Sequence, residues 1–228
     1  MTAERRSLFT ERCQPRIETR DDDKPPKIEG YGAVYYDPND PGTEYQLWRD
    51  TFERIQQGAF DRAISEDDVR SLFNHDANIV LGRNRSDPAT LTLRSDKVGL
   101  YYSVTPPDTQ LARDQVVTPI RRGDVSGSSF MFVPKRVVWI EEERDDREIE
   151  IRQIEEVELW EVGPVVFPAF DSTTTGVRIA GKDLAEIRAE HERWKRSGLD
   201  GEEFAASESE AVRVAARLAE VRSRQLRV

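Results

Sequence analysis

The sequence is short of the residues on which many chemistries depend. Of its 228 residues, one is cysteine (Cys13) and two are histidines, His75 and His191. A single thiol cannot close an intrachain disulfide, which fits a protein kept in a reducing compartment. One cysteine and two distant histidines supply no zinc pattern. Basic residues are also in deficit, 34 Lys and Arg against 44 Asp and Glu, for a formal net charge of −10. A general nucleic-acid binder needs a basic face to displace counterions, so that class is disfavoured. No apolar run approaches the length of a membrane span. The stretch from Met1 to Arg6 leads into no apolar segment of the signal-peptide kind. Phosphate-loop and dinucleotide fingerprints are missing as well. The expectation is a soluble, intracellularly made protein with no cofactor, no metal, no nucleic acid and no membrane partner.

What is present is 37% apolar and 34% charged, which suggests a compact core with charged appendages. The length suits one sizeable domain plus extensions. Residues 1–26 read as a charged segment with an edge strand around Arg16 to Thr19, closed by the turn cluster Asp21 to Pro26. Lys27 to Tyr36 reads as a glycine-marked strand, Asp37 to Gly42 as a loop and Gln46 to Phe52 as a further strand. Gly58 to Ile64 looks like a short helix, and Val69 to His75 like a buried strand. Leu91–Leu93 and Leu100–Val104 are short strands. A helix capped by Asp108 or Thr109 should run towards Arg122, be disturbed at Pro119 and stop at Gly123. Ser126 to Ile140 and Arg147 to Glu161 read as longer strands around an acidic tip, and Gly163 to Phe170 as a proline-bounded apolar strand. Many short strands with few helices predict an α+β, mainly β fold, a mostly antiparallel sheet or barrel.

From Lys182 the pattern turns helical. Leu184, Ile187, His191 and Trp194 recur at helical spacing, as do Ala211, Val214, Leu218 and Val221 beyond the break at Gly198–Gly201. The division expected is a mainly β domain over 27–176 and a helical tail over 177–228, joined by the polar linker Asp171 to Gly176.

An activated hydroxyl usually works with an imidazole base. His191 belongs to the helical stripe, so packing or a partner contact is its expected role. That leaves His75, in Asn74-His75-Asp76. Hydroxyls cluster in Gly123-Asp124-Val125-Ser126-Gly127-Ser128-Ser129-Phe130, which lacks the nucleophile-elbow frame of the α/β-hydrolases. In a regular strand Ser128 and Ser129 point to opposite faces, so only one can meet a histidine. In Glu158-Leu159-Trp160-Glu161, a carboxylate can orient an imidazole. On a regular strand Glu158 and Glu161 also face opposite ways.

Taken in order, these segments resemble a family. A Gly-Tyr-Gly/Ala-Val strand, a Gly-Ala-Phe helix, His-Asp followed by Leu-Gly-Arg, a glycine-rich turn into Ser-Phe-x-Phe, and Leu-x-Glu-Val before Pro-Val-x-x-Pro-Ala look like the prohead (capsid-maturation) serine proteases of tailed phages, distant relatives of the herpesvirus assemblins. The likeness spans roughly Lys27 to Phe170. It implies a compact, mostly antiparallel β-barrel with surrounding helices. It also implies a serine endopeptidase with His75 as base, Ser129 as nucleophile and Glu161 as the acidic member. Met131 stands where the family strand usually has glycine, and Gly163 where relatives often carry serine. An oxyanion site of backbone N–H groups is implied, worth about 3 kcal/mol for one donor, with Arg83, Arg121 and Arg122 as candidates for shaping it. The implied substrates are the scaffold segments of the major capsid protein and the protease itself, inside the assembling prohead in the bacterial host cytoplasm. The tail would then dock on scaffold helices, mediate self-association or be cleaved away. The alternative from another class is a non-enzymatic scaffold or assembly factor with an inert protease-like barrel.

Overall fold

A computed structural model describes residues 3–8, 11–18, 26–166, 177–179 and 181–225. The expected linker at Asp171 to Gly176, Thr19, the cluster from Asp21 to Pro25 and the last residues of the Gly163–Phe170 strand lie outside the described residues. The strands are β1 (Glu4–Leu8), β2 (Arg16–Glu18), β3 (Lys27–Val34), β4 (Glu44–Trp48), β5 (Thr51–Ile55), β6 (Arg70–Phe73), β7 (Asp76–Arg83), β8 (Leu91–Ser95), β9 (Gly99–Val104), β10 (Gly127–Arg144), β11 (Arg147–Val165) and β12 (Val177–Ile179). The helices are α1 (Asp61–Glu66), α2 (Gln110–Ala112), α3 (Thr118–Arg122), α4 (Gly181–Ser197) and α5 (Gly201–Gln225).

β10 and β11 dominate the molecule. They form one long antiparallel hairpin turned by Asp145 and Asp146, both at positive φ, as a two-residue hairpin turn of this hand requires. Their sheet runs β12-β1-β10-β11-β5-β4. The first half of β11 pairs in parallel with β5, and Glu161 near its end pairs in parallel with Arg70 of β6, which carries β7. A second sheet runs β2-β3-β9-β8. The two sheets bury a shared core in which Ile28, Leu100, Tyr102 and Val104 meet Phe130, Phe132, Leu159 and Val162.

The expected barrel is not formed: neither sheet closes on itself. The reason lies in β11, which holds one neighbour along its first half and another near its far end, so its sheet branches where a barrel would need one continuous seam. The fold is a mixed α+β arrangement of two open sheets with C-terminal helices.

Several local expectations shift for identifiable reasons. The single strand expected over Gln46 to Phe52 is two strands, because Arg49 and Asp50 turn the chain, with Asp50 at φ 56°. The short helix begins only at Asp61, since Gly58 sits at φ 89°. Thr109 caps α2 by accepting from the Ala112 N–H, and Gly123 ends α3 in the left-handed conformation only glycine adopts cheaply. The disturbance expected at Pro119 appears as a π turn over Arg113–Val117.

α4 and the start of α5 lie against the hairpin. Ile187, Trp194 and Phe204 bury themselves on Trp139 and Leu47. His191 packs within this aromatic group, with ring centroids 4.9 Å from Trp139 and 5.5 Å from Trp48, and its Nε2 lies 2.7 Å from a Glu150 carboxylate oxygen. Its expected packing role matches this placement. Beyond Ala205 the helix surface is open, and Val212 and Val214 are exposed. The side chains of Leu218 and Val221 lie outside the described residues.

Under α4 lies a buried ionic cluster. Arg6 Nε donates to Glu53 at 2.6 Å and its Nη2 to Glu4 at 2.6 Å, while Arg152 Nη1 donates to Glu53 at 2.7 Å. Arg152 also reaches Glu4 at 2.9 Å and Glu190 of α4 at 3.0 Å. Charges so deeply buried persist only when fully paired. The cluster ties β1, β5, β11 and α4 to one another.

Candidate active site

The pleat of β10 separates the two serines as its alternation requires. Ser128 points into the core, donating to the Cys13 carbonyl at 2.7 Å and lying 3.1 Å from the Tyr102 hydroxyl. Ser129 points to the other face, where its Oγ lies 2.7 Å from His75 Nε2. The same hydroxyl lies 2.9 Å from the Arg6 carbonyl of β1, so its one proton has two acceptors in reach. Ser129 is fully buried.

His75 stands at the tip of the β6–β7 hairpin. Phe73 pairs with Asp76, so the loop is the two residues Asn74 and His75, at φ 54° and 60°. Such a turn favours Asn followed by Gly. Histidine in the second place bears a left-handed backbone that costs roughly 1–2 kcal/mol, a strain typical of functional positions. Asn74 pins this tip to the end of β11: its N–H donates to the Pro164 carbonyl at 3.1 Å and its Oδ1 accepts from the Val166 N–H at 2.8 Å.

Glu161 completes the row. Its Oε2 lies 2.5 Å from His75 Nδ1, and its side chain is 3% exposed. In the tautomer whose Nδ1–H donates to this carboxylate, Nε2 is left to accept from Ser129. The sequence expectation that Glu158 and Glu161 face opposite ways fails here. Met131 pairs with Glu161 and Phe132 with Leu159, leaving Trp160 as an unpaired bulge residue. Glu158 opposite Val133 and Glu161 opposite Met131 therefore share one face. They differ in surroundings: Glu158 is bound by Lys135 and by the Trp160 indole N–H, which hold its carboxyl below the usual range. The bulge turns Glu161 towards His75 and leaves Trp160 46% exposed.

Gly163 faces Ser129 across the ladder. A Cβ there would overlap the Leu72 carbonyl, so only glycine lets β6 come close enough to deliver His75. Of the arginines considered for an oxyanion site, Arg83 is engaged by Asp68 at 2.6 Å and Arg122 by Asp124 at 3.2 Å, while Arg121 is exposed. Among the described residues no group of His, Cys, Asp and Glu is arranged to hold a metal ion. Sequence reasoning missed β1 and its Arg6 carbonyl, the Asn74 pin and the Trp160 bulge. The dipeptide Asn74-His75, next to an apolar run, was the one available signal, because Asn-Gly-like pairs mark hairpins.

Searches of curated proteins and of solved structures find no match. The family described as Caudovirus prohead serine protease matches residues 15–188, a span that contains His75, Ser129 and Glu161 and excludes β1 and α5. The match covers most of the chain, and the chain belongs to the Caudovirus prohead serine protease family.

Proposed function

We propose that the protein is a serine endopeptidase of prohead maturation with Ser129 as nucleophile, His75 as general base and Glu161 as the acid that orients it. The supporting observation is the continuous row from Ser129 Oγ to His75 Nε2 at 2.7 Å and from His75 Nδ1 to Glu161 Oε2 at 2.5 Å. In this reading Oγ attacks the scissile carbonyl carbon while His75 takes the hydroxyl proton. The imidazolium is stabilised by Glu161. Collapse of the tetrahedral intermediate breaks the C–N bond, and His75 Nε2–H protonates the departing amine. Water, deprotonated by the same imidazole, then attacks the acyl ester and releases Ser129. The substrates proposed are the scaffold segments of the major capsid protein, and the protease itself, within the prohead in the host cytoplasm. Residues 27–176 are proposed as the protease domain, with 1–26 as an N-terminal segment. The helices over 177–228 are proposed to supply scaffold docking or self-association, chiefly through the exposed part of α5.

The competing reading, an inert assembly factor, draws on the burial of Ser129 and the Arg6 carbonyl that competes for its proton. One experiment decides between them. The chain is co-expressed with the matching capsid precursor, and cleavage is followed by intact mass. Ser129→Ala and His75→Ala are expected to abolish cleavage and Ser128→Ala to retain it. Glu161→Gln should slow the reaction by about 10³-fold or more, since it presents the wrong partner to Nδ1, whereas Glu158→Gln should change little. Cleavage by both Ser129→Ala and His75→Ala would remove the mechanism, and an inert wild type would favour the assembly factor.

A further inference from the structure

Two clefts lie on the outer face of the β10–β11 hairpin and share a wall. The first, about 560 Å³, is lined in part by Glu161, Met131, Leu72 and Trp160. The second, about 530 Å³, continues past Trp160 and Glu158 to Val133, Lys135 and Val212 of α5. Ser129, Met131 and Val133 alternate onto one face of β10, so the furrow begins one step along that face from the nucleophile. From Ser129 to Lys135 an extended strand covers about 20 Å, a length that accommodates about six extended residues of another chain.

We propose that this furrow holds an extended segment of the polypeptide substrate and that Trp160 is the residue that anchors it. The inference rests on the triad reading above, because it places the furrow beside the reacting bond. The bulge explains why Trp160 is available: the same extra residue that turns Glu161 inward leaves a large aromatic side chain 46% exposed at the junction of both clefts. Exposed tryptophans with an apolar floor are frequent anchors of binding energy. Leu72 and Met131 form that floor next to Trp160. The rim beside it carries Glu66, Asp67 and Asp68 against Arg70. The segment that fits has an aliphatic side chain packed against the indole and lysine or arginine beside it over this acidic rim, since the far cleft is itself lined by Arg62, Lys135, Arg136 and Arg213. At the far end, Val212 makes α5 part of the wall, so the tail helix takes part in substrate binding.

The test uses the full chain carrying Ser129→Ala, which binds without cleaving. The probes are twelve-residue peptides with one central leucine flanked by lysines or, in a second peptide, by glutamates. Of the four tryptophans, Trp139 and Trp194 are buried and Trp48 is half-buried, so acrylamide quenching of fluorescence reports mainly on Trp160. The lysine-flanked peptide is expected to bind saturably and protect the quenchable fraction, and the glutamate-flanked peptide to bind at least tenfold more weakly. In the active enzyme, Trp160→Ala should raise KM for the lysine-flanked peptide by roughly tenfold with kcat changed far less, as loss of an anchor does, and Trp160→Phe should recover most of it. Saturable binding that leaves the fluorescence fully quenchable, or an unchanged KM in Trp160→Ala, overturns the proposal. Equal binding of the two peptides overturns the assigned charge preference. Failure of the triad is a separate outcome, visible as cleavage by Ser129→Ala itself.

Discussion

His75 occupies a hairpin position that ordinarily carries glycine, and the residue before it makes this tolerable. Asn74 is among the few non-glycine residues that enter the left-handed region readily, and its side chain holds the Val166 N–H. Asn74→Gly keeps the backbone conformation but loses that bond, whereas Asn74→Ala loses both. Denaturant unfolding should therefore show Asn74→Ala less stable than Asn74→Gly by about 1 kcal/mol. Both should lower kcat more than they raise KM, because the imbalance falls on the placement of His75. Equal stability of the two variants would mean that the turn carries no such strain. At this scale strand alternation set Ser128 and Ser129 on opposite faces, as the structure has them, and the choice of Ser129 came from the family resemblance. Alternation misled about Glu158 and Glu161, since it counts residues and cannot see that Trp160 is skipped by the ladder.

Among elements, the close approach of β6 to β11 does most to assemble the site. Gly163 lies opposite Ser129 and beneath the Leu72 carbonyl. Gly163→Ala must push β6 outward, and His75, three residues beyond Leu72, moves with it. The expected result is a fall in kcat of at least tenfold, read as lost alignment of base and nucleophile, together with a lower unfolding midpoint. Wild-type kcat in this variant would show that β6 can yield without moving His75. The strands of the long hairpin were legible because one is rich in Phe, Val and Trp and the other alternates Ile149 and Ile151 with charged residues. β1 was not, since its Glu4 and Arg6 are charged residues on a buried face and match no apolar pattern. β7 was equally hidden: Asp76 to Val80 is largely solvent-facing, and its register follows from the hairpin.

For the whole molecule, the ionic cluster and the tail helices set the limits of stability. Burial alone would raise the Glu53 carboxyl, but the charges and hydrogen bonds of Arg6 and Arg152 prevail and hold it below the ordinary glutamate value of 4.5. A carboxyl depressed in the folded state contributes stability above its unfolded pKa and loses it as pH falls through the folded value. Urea midpoints should therefore hold steady down to about pH 4.5 and drop below it. Glu53→Gln should already be destabilised at neutral pH by about 3–5 kcal/mol, since it strands part of the positive charge. A pH-independent midpoint between 5 and 3 would contradict this linkage. Truncation tests the tail. Ending the chain after Gly181 removes Ile187, Trp194 and Phe204 from Trp139 and Glu190 from Arg152. At roughly 2 kcal/mol for each buried apolar side chain, the loss rivals the whole stability of a typical domain. That product is expected to unfold or aggregate. Ending it after Glu210 spares those contacts and should leave a folded protein, with peptide binding weakened by the absence of Val212. A folded, fully active chain ending at Gly181 would show the helices to be dispensable.

The sequence by itself determined the alternation that sets Ser128 and Ser129 on opposite faces, the scarcity of histidine that left His75 as the candidate base, the helical stripe that claimed His191, and the ordered motifs that pointed to the family. These are local properties, carried by spacing and composition. Tertiary structure alone decided that the sheets stay open, that the Trp160 bulge puts Glu158 and Glu161 on one face, that β1 lies against Ser129, and that the tail helices are packed onto the hairpin. Each of these depends on which strand pairs with which and in what register, and residues far apart in the chain settle that only when they meet.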